Sequence, residues 1–85
     1  MKRKEIEKKV KEIVADQVGR YNEGLNPENI KEEYHFEDDF GCDSLDLAEI
    51  CIEVEKEFAI SIADDEAEKV SLVKDVVDIV EKKNS

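Results

Sequence analysis

Leu47, Ile50, Cys51, Val54 and Phe58 recur at offsets of 0, 3, 4, 7 and 11, a spacing that lines up along one stripe of an α-helix. Such a stripe must be covered by other elements, so this segment dictates a fold built by packing helices. The same period occurs twice more. Ile6, Val10, Ile13, Val14, Gln17 and Val18 mark a first helix over residues 3 to 18, with Lys and Glu on the opposite side. Val73, Val76, Val77 and Val80, with Leu72 and Ile79 beside them, mark a last helix over residues 72 to 82, for which Ser71 is the expected N-cap. With one proline and three glycines in 85 residues, little interrupts these helices.

The segments between them are less regular. Gly19 is a natural stop for the first helix. Residues 20 to 43 then form a connection long enough that it must pack or function. Asn26-Pro27-Glu28 offers a cap, a first-turn proline and an acid, predicting a short helical turn near residues 27 to 32. Leu25, Ile30, Tyr34, Phe36 and Phe40 are spaced as anchors for this loop, and the sole histidine, His35, sits among them. There a hydrogen-bonded or surface role is expected rather than a base or a ligand. Residues 59 to 62 read as an extended linker, residues 64 to 69 as a short acid-started helix, and residues 81 to 85 as a fraying polar tail. The chain is thus predicted to be all-α. It forms one domain over residues 1 to 85, a four-helix bundle of three longer helices and a short third one, with a long loop between the first two.

Charge separates the two parts of the chain. Residues 1 to 31 carry eight basic and six acidic side chains, and residues 32 to 85 carry five and eighteen, giving a net charge of −11. Such a field opposes nucleic acid and anionic membrane and speeds encounter with basic protein patches. The lysines of the first helix are diluted by Glu5, Glu7 and Glu12 and read as a solvated face. Cys42 and Cys51 have neither CxxC spacing nor a partner cluster, so two free thiols are expected, with no zinc or redox site. No run reaches membrane-spanning length and no signal peptide is evident; a monomer in a reducing cytoplasm, not inserted in membrane, is the expectation.

The chemistry concentrates where the long connection meets the central helix, at Phe40-Gly41-Cys42-Asp43-Ser44-Leu45-Asp46. Asp43 is placed to cap the helix, Asp46 stands three residues on, and Ser44 becomes the first helical residue, with its hydroxyl beside the positive end of the helix dipole. A phosphate is favoured at such a position. A serine-nucleophile reading fails because GxSxG is absent and the one histidine is distant in sequence. An EF-hand reading fails because setting Gly41 at position 6 puts Phe36 and Phe40 at positions 1 and 5. What survives is a serine that is acted upon. On the same helix, Leu45 and Ile52 lie far around from the core stripe, flanked by Glu49, Glu53 and Lys56, as a small docking face would be.

Asp39-Phe40-Gly41-Cys42-Asp43-Ser44-Leu45-Asp46, followed by Glu49, by Glu55-Lys56-Glu57-Phe58, and by Ile62 with Asp64-Asp65-Glu66-Ala67-Glu68-Lys69-Val70, resembles the acyl carrier protein family. The similarity is close from Phe36 to Val80 and looser over the first helix. It implies a non-enzymatic carrier, modified at Ser44 by a phosphopantetheinyl transferase that uses coenzyme A as donor. The covalent 4′-phosphopantetheine arm then holds acyl groups as thioesters for acyl-transferring and synthase enzymes of fatty-acid or related lipid and polyketide-like pathways. It further implies that Asp43, Leu45, Asp46, Glu49, Ile52, Glu53, Asp65 and Glu66 form the face read by basic partner patches, with Asp43 also recognised by the transferase. An acyl chain would be admitted between helices, against residues such as Val54, Phe58, Val73 and Val77. An alternative is an acidic adaptor of this fold that binds basic partners without an arm. Cys42 stands where the family commonly has a small residue such as Ala, Lys56 interrupts a usually acidic run, and the loop before Tyr34 is longer than in typical fatty-acid carriers; these departures keep a dedicated carrier for another acyl pathway open.

Overall fold

The computed structural model describes residues 2 to 19 and 25 to 84. Its order is α1 (Arg3–Val18), a 3-10 turn (Pro27–Asn29), α2 (Phe36–Phe40), α3 (Ser44–Phe58), α4 (Asp64–Glu68) and α5 (Val73–Lys83). The four expected helices are α1, α3, α4 and α5. The first part of the long connection, residues 20 to 24, lies outside the described residues.

Each long helix buries most of the stripe its sequence marks, with Ile13 and Leu47 only partly covered. Ile6, Val10, Val14 and Val18 from α1, Ile50 and Val54 from α3, and Val73, Val76, Val77 and Val80 from α5 meet in one core. Burying each such side chain favours folding by about 1.5–3 kcal/mol. Helix α1 packs against both α3 and α5. Gln17, at the α1–α3 contact, is buried and donates its amide to the Glu49 carboxylate. At the other end of α1 the Arg3 guanidinium meets Glu7 at 3.6 Å, Glu32 at 2.9 Å, Asp78 at 3.0 Å and Glu81 at 3.2 Å, tying α1 to the connection and to α5.

The connection packs through its anchors. Ile30, Phe36 and Phe40 are buried while Leu25 and Tyr34 are partly covered; the Tyr34 ring meets Phe40 edge-on with centroids 5.7 Å apart. Two expectations need correction. The turn after Asn26 ends at Asn29, and the Asn26 side chain makes no capping hydrogen bond. A five-residue helix, α2, occupies what reads in sequence as loop. His35 caps α2, and the adjoining main chain is held by an antiparallel bridge between His35 and Leu72 and by Phe36 N–H donating to Ser71 C=O at 2.9 Å. These partners are more than thirty residues away, so local sequence does not announce the helix.

Three helix ends show how local chemistry sets boundaries. Gly41 closes α2 at φ 69°, the left-handed conformation glycine adopts without steric penalty. Ala59 closes α3 in the same region, at φ 52°, where a Cβ is unfavourable. Ser71 does not cap α5. Leu72 stands at the N-cap position, and the Asp75 carboxylate accepts from the N–H groups of both Ser71 and Leu72, each at 2.9 Å. Helix α5 ends at Lys83, one residue beyond the end expected from the sequence.

Candidate functional site

The seven residues from Phe40 to Asp46 turn the chain from α2 into α3. Gly41 supplies the left-handed turn, and Cys42 N–H donates to Phe36 C=O at 2.9 Å, folding the segment back on α2. Cys42 itself is buried in the core cluster. This accounts for the thiol next to the capping residue, which serves as a small apolar side chain facing inward. Cys51 is buried as well, and desolvation, then the nearby Glu55 charge, pushes its thiol above the ordinary value. Neither thiol is part of a disulfide.

Asp43 and Asp46 close a reciprocal capping box. The Asp43 carboxylate accepts from Asp46 N–H at 2.9 Å, and the Asp46 carboxylate accepts from Asp43 N–H at 3.3 Å. Ser44 is left as the first residue of the fifteen-residue helix α3, and it is exposed. The first-turn N–H groups of Ser44 and Leu45 have no intrahelical acceptor, which is the feature that favours an anion at a helix N-terminus.

Beside Ser44 opens a cavity of about 610 Å³. Phe36, Cys42, Leu47 and Val70 give it apolar walls, and Leu47, expected in the core stripe, is only half-buried because it faces this space. Glu37, Asp43 and Glu68 form its acidic edge. The residues expected to line an acyl channel, Val54, Phe58, Val73 and Val77, are buried in the core and do not line this cavity.

The outward residues fall into two groups. Leu45 is 67% exposed and Ile52 49%, and they are the large hydrophobic side chains left on the surface among the described residues. Glu53 and Asp65 are exposed with them, and Lys56 approaches Glu53 at 3.7 Å. Two acids are tied into the fold. Glu49 accepts from Gln17 of α1. Glu66 accepts from Ala63 N–H at 3.1 Å and pairs with Lys83 at 2.9 Å; the Lys83 bond, then the Ala63 N–H, holds its carboxyl below the ordinary value. The sequence did not mark His35 as part of the site, yet it lines the same cavity as Ser44.

An exposed serine heading a capped helix, beside a cavity and bordered by acids and two exposed apolar side chains, defines a small helical carrier or docking module. The comparisons narrow this class. Residues 8–80 match the family described as "Phosphopantetheine attachment site". The acyl carrier protein of Nitratidesulfovibrio vulgaris strain DP4 is 44% identical over 78 residues, covering 92% of this chain and 96% of its own. That of Bdellovibrio bacteriovorus is 42% identical over 78 residues, covering 92% and 94%. The crystal structure of the Thermotoga maritima acyl carrier protein superposes with a TM-score of 0.74 at 37% identity, covering 99% of this chain and 92% of that one. The chain belongs to the acyl carrier protein family, whose members carry a 4′-phosphopantetheine group.

Proposed function

We propose that Ser44 is the attachment residue and that the chain carries acyl groups between enzymes of fatty-acid or related acyl synthesis in the cytoplasm. The observation that carries this reading is the exposed Ser44 hydroxyl at the head of α3, fixed by the Asp43–Asp46 box and bordering a cavity with apolar walls. The residues fit the group. The hydroxyl can form a phosphodiester, the helix N-terminus favours its negative charge, and the adjoining space can receive a flexible, partly apolar chain.

Loading by a phosphopantetheinyl transferase would join Ser44 Oγ to phosphorus as the pyrophosphate link of coenzyme A breaks. Adenosine 3′,5′-bisphosphate leaves, and the hydroxyl proton passes to a base on the transferase. The thiol supplied by the bound group holds an acyl chain as a thioester. This chain's own residues do the remaining work: Asp43 and Asp46 hold the α3 N-terminus in one geometry, and Gly41 and Cys42 fix the entry to it.

Leu45, Ile52, Glu53 and Asp65 would make direct contact with basic patches on the transferase and on acyl-transferring and synthase enzymes, with Asp43 and Asp46 at the edge. Glu49 and Glu66, bound to Gln17 and Lys83, would contribute chiefly through the acidic field that steers partners. The armless adaptor reading is not favoured, because the matched family is defined by the attachment site. Incubation with coenzyme A and a broad-specificity transferase, followed by proteolysis and peptide mass mapping, tests the assignment. The adduct is expected on the peptide containing Ser44, and an adduct elsewhere overturns it.

A further inference from the structure

The cavity beside Ser44 holds few donors. Glu37, Asp43 and Glu68 present only acceptors when ionised, the Cys42 thiol is a weak donor, and loading would consume the Ser44 hydroxyl. His35 and Ser71 remain as the strong side-chain donors among its lining residues.

His35 has the longer side chain of the two, and its ring is anchored at one nitrogen. Its Nδ1 accepts from Asp38 N–H at 3.3 Å, and the His35 backbone N–H donates to Asp39 Oδ2 at 2.6 Å. The bridge to Leu72 fixes its main chain from the other side. A ring whose Nδ1 accepts a hydrogen bond carries its proton on Nε2, and a doubly protonated ring has a proton there too. Nε2 is therefore a donor in either state. The side chain retains 33% of its exposure and lines the cavity, so the ring is held through Nδ1 while part of it stays open to a ligand.

We propose that His35 is a positioning residue for the arm, its Nε2–H donating to an acceptor oxygen of the 4′-phosphopantetheine as it crosses the cavity from Ser44. The arm offers phosphate, hydroxyl and amide carbonyl oxygens, whereas the three surrounding carboxylates cannot donate to any of them. Through this contact His35 holds the arm against α2 and the segment before α5, and a partner enzyme has to break it to withdraw the thiol end. The inference rests on Ser44 carrying the arm.

The test uses the full chain loaded from isotope-labelled coenzyme A, with its mass first showing one arm on Ser44. A chain that does not load at Ser44 contradicts the attachment reading, a result distinct from anything read afterwards. Because His35 is the only histidine, its ring protons give unambiguous NMR signals. Nuclear Overhauser contacts between those protons and the arm are expected. The heteronuclear Overhauser values of the arm amides should fall toward those of free pantetheine in His35→Asn. Asparagine keeps a capping acceptor for α2 but shortens the reach, and unchanged Asp38 and Asp39 amide shifts would verify that α2 persists. Absence of the ring-to-arm contacts in the wild type overturns the proposal, as does arm mobility equal in the wild type and a His35→Asn protein with α2 intact.

Discussion

Asp43 and Asp46 bind each other's backbone N–H groups across the first turn of α3, so that Ser44 lies inside a closed ring of two reciprocal hydrogen bonds. The ring satisfies two backbone donors at the helix mouth and holds the main chain that carries Ser44.

Asp43→Ala removes one half of that ring. It should lower unfolding free energy by about 0.5–2 kcal/mol, while Asp43→Asn, which keeps a capping acceptor, loses much less. Urea denaturation of the three proteins checks this, with the Asn variant expected close to the wild type. Equal losses in both variants would show that the carboxylate acts through charge rather than as a cap.

Ala59 ends α3 with φ at 52°, a conformation in which its Cβ is crowded. Ala59→Gly should therefore stabilise the fold by up to about 1 kcal/mol, the relief of a left-handed alanine being partly offset by the freer unfolded chain. A higher urea midpoint with an unchanged slope is the expected result.

Two carboxyls should move the pH dependence of stability in opposite directions. The Glu7 carboxyl is pushed up, first by its hydrogen bond with Glu32, then by desolvation and the Glu32 charge, against Lys11 and Arg3. Its contribution is full below the unfolded carboxyl value and is lost as pH rises through the higher folded value. Glu66 is pulled down by Lys83 and by Ala63 N–H, so its contribution is present above the unfolded value and is lost as pH falls through the lower folded one. At neutral pH, Glu7→Gln should raise the melting temperature and Glu66→Gln should lower it. Both differences should shrink as pH falls through the carboxylate range, as melting curves between neutral and acid pH would show.

The exposed face on α3 should be read by partners through both its charge and its apolar contact. Ile52→Ala and Glu53→Lys are each expected to raise the KM of loading by a transferase several-fold, and Glu53→Lys should also weaken its salt dependence. Loading kinetics at two ionic strengths check this. Unchanged KM in both variants would place the docking face elsewhere.

What the sequence discloses here follows the range of the interactions involved. The start of α3, its cap and the exposure of Leu45 and Ile52 depend on neighbours within a few residues, so spacing alone reveals them. Helix α2 depends on His35, Ser71 and Leu72 meeting across more than thirty residues, and five residues rich in acid give no period to detect. The start of α5 misleads because serine is a common cap, while Asp75 reaches back to satisfy the same donors. Glu49 reads as an outward acid until Gln17 is found opposite it on α1. Cys42 reads as anomalous until its burial shows an ordinary packing role.

Attachment at Ser44 is tested by intact-mass measurement after incubation with coenzyme A and a transferase. The wild type is expected to gain the mass of one phosphopantetheine and Ser44→Ala none. No gain in the wild type, or a gain that persists in Ser44→Ala, would contradict it.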